Sequence, residues 1–411
     1  MFLKIFNNSF TFGKSKNKMF MIKKLIIPKR ISFQNDLIRS RENISKKIFN
    51  KNILVIGGAG TIGSNYIKQI LQFKPKNLTV VDINENGLTE LTRDLRSSNL
   101  LDYDPEYITY PVNLLSETFD KIFYLKNWHV VANFSAHKHV RSEKDKISVE
   151  ALIKNNVFGS IKLLNLCEKR SPDYFFSVST DKAANPVNIM GASKSIMEKL
   201  ILSKKNKFRV STARFANVAF SNGSLLDGFI NRLNKKQPLS CPYDIKRFFV
   251  TPEQSGQICL LATFLGNSGN IFFPKLDFHK DQIYFKEIAL DFLKGNGFEP
   301  ELVQSEKEAK EYDFDKYPSK YPIYFFKTDT SGEKTFEEFY TVDEDYEINV
   351  YDSLGFINSK EIKISIKNLE TDFNNVFNNL NTNKSDIIAI IKKYVPDFTH
   401  NETGKNLDQK M

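Results

Sequence analysis

Asn52 to Ile56 reads N-I-L-V-I and runs straight into Gly57-Gly58-Ala59-Gly60-Thr61-Ile62-Gly63. A short unbroken apolar run suits a strand buried on both faces. From Ser64 to about Phe73 the apolar residues Ile67, Ile70 and Leu71 recur at helical spacing, until Pro75 ends the pattern. Strand, glycine turn and helix in that order leave few folds open. Glycines allow a tight turn and a close approach of the backbone, and the free N–H groups of the helix then face a pyrophosphate. Gly57, Gly60 and Gly63, with Thr61 and Ile62 between them, are therefore expected to hold a dinucleotide. Asp82 lies 19 residues past Gly63, at the end of the second apolar run. It is placed to accept hydrogen bonds from a ribose diol. A carboxylate there would repel a 2′-phosphate, which favours NAD over NADP.

The same rhythm continues. Strands are expected at Leu78–Val81, Tyr107–Tyr110, Val130–Phe134, Tyr174–Phe176 and Phe208–Ala213, alternating with helices at Leu88–Leu95, Phe119–Leu125, Val149–Glu168 and Ala192–Ser203. Strand alternating with helix at this spacing predicts an α/β, doubly wound parallel sheet with right-handed crossovers. After Asn217 the pattern becomes irregular. Helices are expected at Leu225–Leu233, Pro252–Phe264 and Ile283–Leu293. Leu239–Phe249 reads as extended, and strands are expected at Asn270–Phe273 and Tyr321–Phe326. The division expected is a basic arm at 1–47, a dinucleotide-binding domain at 48–220 with a return segment near 250–275, a smaller substrate lobe at 221–345, and a helical extension at 346–411. Helical patterns at Lys367–Leu380 and Ser385–Tyr394 lie in that extension.

Charge matters because of where it sits. The 411 residues carry a formal net charge of +11, but the first 50 hold twelve Lys and Arg against two Asp and Glu. Ten of the eleven net charges thus belong to the arm, and the remaining body has no reason to bind nucleic acid. The arm has no apolar run long enough to span a membrane. It reads as a mobile leader, with Met19 and Met21 as alternative starts, or as a peripheral contact with anionic lipid, or as an oligomer contact. Asp36–Lys47 reads as a short polar helix. Three cysteines without CxxC spacing suggest neither a zinc site nor a disulfide framework, and fit a reducing, cytoplasmic setting.

Polar groups gather where the fifth strand ends, in Ser179-Thr180-Asp181-Lys182, followed by a turn at Asn185-Pro186 and a helix carrying Lys194. The three-residue spacing between glycines resembles that of short-chain dehydrogenases. In those enzymes a Tyr stands four residues before the Lys; here that position is Met190, and a thioether has no proton to exchange. The run S-T-D-K-A-A-N-P-V-N-I-M-G-A-S-K closely resembles the nucleotide-sugar 4,6-dehydratases of polysaccharide biosynthesis, one branch of which has Met at the Tyr position. Further matches follow in order: Ser135-Ala136-His137-Lys138-His139-Val140, Asn155-Asn156-Val157-Phe158-Gly159, Arg214-Phe215-Ala216-Asn217-Val218 with Ser221-Asn222-Gly223-Ser224, Arg247-Phe248-Phe249-Val250-Thr251, and Gly332-Glu333-Lys334 with Glu337-Glu338. The chain departs from the family at Pro111-Val112-Asn113, where relatives carry Gly-Asp-Val, and at Asp329-Thr330-Ser331, where an Arg is missing.

The resemblance implies NAD-dependent removal of water across C5 and C6 of UDP-N-acetylglucosamine. Oxidation at C4 makes the C5 hydrogen acidic, and the stored hydride returns to C6. It further implies that Asp181 is the acid for O6, that Lys182 is the C5 base, and that Thr180 covers for the absent Tyr by handling the 4-hydroxyl proton. Lys182 would then need a depressed pKa. Lys194 and Ala136 are expected at the cofactor, and Lys138, Asn217, Asn222 and Arg247 at the substrate. His137 and His139 lack a carboxylate partner, so no metal site is expected. The helix from Val149 and the helix through Lys194 are expected to pair with a second subunit, giving a homodimer or larger homo-oligomer. An epimerase acting at C5 or C4, or a nucleotide-sugar-binding protein without catalysis, remain the alternatives.

Overall fold

The computed structural model describes residues 31–139, 143–329, 332–334 and 336–400. The expected leader, its alternative starts and its lipid contact therefore lie outside the described residues, as does Val140. The chain opens with helix α1 (Phe33–Ile48) and then alternates: β1 (Asn52–Ile56), α2 (Thr61–Leu71), β2 (Asn77–Asp82), α3 (Glu85–Ser97), β3 (Glu106–Pro111), α4 (Glu117–Tyr124), β4 (Val130–Asn133), α5 (Lys146–Ile153), α6 (Gly159–Lys169), β5 (Tyr174–Val178), α7 (Ile189–Leu202) and β6 (Val210–Ala213). The next stretch holds β7 (Asn217–Val218), α8 (Leu225–Asn234), β8 (Leu239–Pro242), β9 (Lys246–Val250), α9 (Pro252–Phe264) and β10 (Asn270–Pro274). Then come β11 (Gln282–Tyr284), α10 (Phe285–Gly295), β12 (Glu299–Val303), α11 (Glu306–Lys310), β13 (Lys320–Phe326), β14 (Tyr346–Glu347), β15 (Leu354–Asn358), α12 (Ile366–Asn378) and α13 (Lys384–Tyr394).

The main sheet runs β3-β2-β1-β4-β5-β6-β10-β15-β14. It is parallel from β3 to β10, and its last two strands join antiparallel. The order 3-2-1-4-5-6 is that of a doubly wound sheet whose direction reverses between β1 and β4, so the crevice at the C-terminal ends of those strands is where ligands bind. The apolar runs Ile53–Ile56 and Val130–Ala132 are fully buried because helices cover both faces. One face packs Phe33, Ile67, Ile70 and Ile258 of α1, α2 and α9. The other packs Val149, Ile161, Ile196 and Leu200 of α5, α6 and α7. Helix starts follow their sequence signals: Asp145 and Thr251 close capping boxes, and Pro252 stands in the first turn of α9.

Several expectations need correction. The helix expected at Asp36–Lys47 has a core face as well as a polar one, with Phe33, Leu37, Ile44 and Ile48 buried. Asp36 accepts hydrogen bonds from the backbone of Asp352 and Ser353 at 3.0 and 2.7 Å. Part of the expected arm is thus tied into the body. The extended run at 239–249 divides, because a turn at 243–245 sends β8 to the sheet β12-β13-β8 and β9 to the sheet β11-β9-β7. The extension after residue 346 is not purely helical, since β14 and β15 complete the main sheet. The long helix expected from Val149 is interrupted by a π turn at Lys154–Phe158.

The faces expected to meet a second subunit also carry contacts within the chain. Helices α12 and α13 of the same chain pack onto α5, α6 and α7, and Leu369, Phe373, Phe377, Ile387 and Ile391 join their core. Phe158 meets Phe373 and Phe377 with ring centroids 6.3 and 6.2 Å apart. Lys199 donates to Tyr394 O at 2.7 Å, Lys384 to Glu143 O at 2.7 Å, and Lys146 to Asn379 O at 2.7 Å. Residues of the chain's own end thus share the core of these helices.

Candidate active site

The glycine loop closes on itself so tightly that side chains are excluded. Gly57 has φ +75°, and a Cβ there would meet Ser135 N at 2.5 Å. A Cβ on Gly63 would meet Gly57 O at 2.4 Å, whereas one on Gly60 would touch only Gly57 O at 3.5 Å. The loop is therefore walled on the sheet side and open at Gly60, where α2 begins. Asp82 accepts from Ala59 N at 2.9 Å through one oxygen and from Asn84 N at 3.0 Å through the other. It ties the end of β2 to the loop. Ile62 packs against the core beneath the loop. These features fit a dinucleotide: a backbone cradle at a helix N-terminus with a carboxylate at its rim.

Loops from three elements converge over this cradle. Ala136 sits half-buried in the loop after β4. Lys138, from the same loop, donates to Asn222 O at 3.0 Å, and Asn222 N donates to Thr61 Oγ1 at 3.1 Å. Lys138 and Asn222, expected at the substrate, thus clasp the glycine loop. Asn156, on the π turn, accepts from His137 N at 2.8 Å and donates to His137 O at 3.0 Å and Ser193 Oγ at 2.9 Å. It couples the β4 loop to α7. Residues at π turns recur at functional sites, and the Asn-Asn-Val run is the signal for this one.

At the end of β5, Thr180 caps a short 3₁₀ turn over Asp181–Ala183. One oxygen of Asp181, Oδ1, accepts from Thr180 Oγ1 at 2.7 Å, Lys182 N at 2.9 Å and Lys182 Nζ at 3.2 Å. The other oxygen is buried and has no partner among the described residues. Behind this cluster, Lys194 donates to Val178 O at 3.0 Å and approaches Met197 Sδ at 3.5 Å. Burial lowers its pKa to about 8, partly offset by Glu198. Met190 is buried in the core between α7 and its neighbours, and its N–H donates to Glu143 Oε1 at 2.8 Å.

The depressed pKa expected for Lys182 is not what this arrangement produces. Burial alone would lower its pKa, but Asp181 and Glu337 outweigh burial and raise it. Its ammonium lies 3.2 Å from a carboxylate oxygen of each. Glu337 was not among the residues expected at the site. It comes from the Gly332–Glu338 stretch, which docks on the Asp181 loop through Asn188 to Gly332 O at 2.9 Å and Lys334 to Ala184 O at 3.2 Å. Arg247, expected to meet a nucleotide, is only 3% exposed. It is paired with Glu333, and its Nε lies 3.6 Å from Glu337. Asn217 lies on β7, with its amide nitrogen buried and unpartnered among the described residues. Arg214 holds Glu198 and Glu344, which makes it a brace between α7 and the later segments.

Strand order and glycine loop together define a doubly wound sheet of the Rossmann type. The chain belongs to the polysaccharide biosynthesis protein family, whose model matches residues 53–358. It is similar to an uncharacterized membrane protein of Methanocaldococcus jannaschii, 30% identical over 269 residues, covering 64% of this chain and 78% of the relative. It is 28% identical over 242 residues to an inverting UDP-N-acetylglucosamine 4,6-dehydratase of Campylobacter jejuni, covering 56% of this chain and 68% of that enzyme. The probable polysaccharide biosynthesis protein EpsC of Bacillus subtilis is 28% identical over 64% of this chain, and the match spans only 44% of EpsC. Among solved structures, Pen from Bacillus thuringiensis superposes with a TM-score of 0.62 at 23% identity, over 80% of this chain and 98% of that one. No helix among the described residues is long and apolar enough to cross a membrane.

Proposed function

We propose that the chain catalyses the NAD-dependent 4,6-dehydration of a nucleotide-activated N-acetylhexosamine, UDP-N-acetylglucosamine before others, to the 4-keto-6-deoxy sugar. The observation that carries this reading is the hydrogen-bonded set of Thr180, Asp181 and Lys182 at the end of β5, over the buried ammonium of Lys194. Gly57, Gly60, Thr61, Ile62, Gly63, Asp82, Ala136 and Lys194 would hold NAD, and the open face at Gly60 supports its diphosphate there. NAD, when bound, supplies a reversible hydride acceptor. Thr180 relays the proton of the 4-hydroxyl: its oxygen accepts that proton as its own passes to Asp181 Oδ1, 2.7 Å away. Lys182, once it has shed a proton, removes the hydrogen at C5, which the C4 ketone has made acidic. Asp181 gives a proton to the leaving oxygen on C6. Lys138, Asn217 and Asn222 would meet the nucleotide sugar. Arg247 reaches its diphosphate only if Glu333 gives way.

Incubating the purified chain with UDP-N-acetylglucosamine and NAD, and following the sugar by NMR, tests the reading. A 4-keto-6-deoxy sugar is expected, with Asp181→Asn and Lys182→Ala each lowering the rate by about 10²-fold or more. An epimer at C5 or C4 would replace dehydration with epimerisation. No turnover would leave a binding protein. Full activity in both variants would remove the assigned roles.

A further inference from the structure

A site that uses Asp181 as an acid and Lys182 as its neighbour faces a charge problem. Asp181 is buried at 1% exposure, and Lys182 is half-buried with its side chain 17% exposed. An acid ready to donate carries its proton and is neutral. Lys182 would then be a half-buried cation with no counter-ion on its own loop, and unpaired charges withdrawn from water are disfavoured. Glu337 approaches from the opposite wall, 2% exposed, with Oε1 at 3.2 Å from Lys182 Nζ and Oε2 without a partner among the described residues.

We infer that Glu337 is a positioning residue for the proposed reaction: it is the counter-ion that lets a protonated Asp181 and a charged Lys182 coexist, and it sets the pH at which Lys182 becomes a base. This rests on the dehydratase reading for Asp181 and Lys182. The other charges facing the cluster do not replace Glu337. Arg247, from β9, is a cation and opposes the ammonium. Glu333 is occupied by Arg247. Lys334 lies on the Glu337 side and donates to Ala184 O. With Asp181 protonated, Glu337 and Glu333 balance Lys182 and Arg247. When Lys182 passes its proton to solvent or to Glu337, one N–H bond breaks and one O–H bond forms, and no other reactant is needed.

Removing one negative charge from this cluster makes each neighbour release its proton at lower pH. In Glu337→Gln the pH at which Lys182 is half-labelled by an amine reagent, read by peptide mass spectrometry on the full chain without substrate, should fall by about one unit or more. The optimum of product formation should move the same way. Glu337→Asp, which keeps the charge, should return the labelling midpoint towards that of the native chain. An unchanged midpoint in folded Glu337→Gln overturns the inference, as does a shift that Glu337→Asp leaves uncorrected. Should Glu337→Gln not fold, Lys182→Met serves instead: Glu337 then loses the nearer of its two facing cations, with Arg247 still 3.6 Å away, and the pH at which its protonated-carboxyl band appears in infrared difference spectra should rise. An unmoved band midpoint overturns the inference. If the labelling midpoint shifts as expected but the native chain makes no 4-keto-6-deoxy product, the counter-ion role stands and the dehydratase reading fails.

Discussion

Lys194 is held by a carbonyl and a thioether in a site 4% exposed, and burial, against the pull of Glu198, brings its pKa to about 8 from an ordinary 10.5. The sign of its effect on stability follows. Below about pH 8 the ammonium is present in both folded and unfolded chains, and the full cost of burying it is felt. Between about pH 8 and 10.5 the folded chain releases the proton first, the unfolded chain binds more protons, and stability rises with pH. Lys194→Met should therefore stabilise the protein at pH 7 by about 1–3 kcal/mol in urea unfolding, a gain that shrinks by pH 10, while turnover falls. A gain that does not change with pH would mean the ammonium is not the cause. At this scale the sequence was informative about chemistry and silent about pairing. The polar run at 179–182 and the missing proton at Met190 could be read directly. That Lys182 would sit between two carboxylates could not, because Glu337 lies 155 positions further on and only folding sets it 3.2 Å away.

Helices α12 and α13 act as an element rather than as single contacts. Their buried residues cover the apolar faces of α5, α6 and α7, and their ends touch loops at the site: Lys384 at Glu143, whose carboxylate receives the N–H of Met190, and Thr399 N at Pro186 O, 3.3 Å away. Phe373→Ala removes a fully buried ring stacked against Phe377, and should cost about 3–5 kcal/mol in denaturant unfolding. If the hairpin opens, the uncovered faces should associate, and light scattering would show larger species in the variant than in the native chain. A loss below about 1 kcal/mol would mean the hairpin contributes little to the core. Periodicity found both helices and the stripes on α5, α6 and α7. It could not say which stripe meets which, since an apolar face looks the same in sequence whether a subunit or the chain's own end covers it. The strands β14 and β15 escaped for a related reason. They are short, and they gain their place only by pairing with β10.

For the whole molecule, a ligand held only by the folded state raises stability by mass action, about 2.7 kcal/mol at a hundred times its dissociation constant. NAD should therefore raise the unfolding temperature of the chain, and NADP should do so less at equal concentration, because Asp82 stands at the rim of the cradle with its carboxylate engaged by Ala59 and Asn84. Equal shifts by the two would remove the preference assigned to Asp82. The sequence by itself determined the local architecture. Unbroken apolar runs fit strands buried between helices, glycines at 57 and 63 fit a turn where a Cβ would strike backbone, and capping residues mark where helices begin. These signals work because hydrogen-bonding geometry and side-chain period act over a few residues. The tertiary structure alone decided the long-range choices: the docking of Glu333 and Glu337 on Arg247 and Lys182, the clasp of Asn222 on Thr61, the burial of α1, and the covering of the α5–α7 faces by the chain's own end. Each joins segments far apart in sequence, and the free energy that selects it comes from desolvated charges and apolar area that exist only once the sheet has formed.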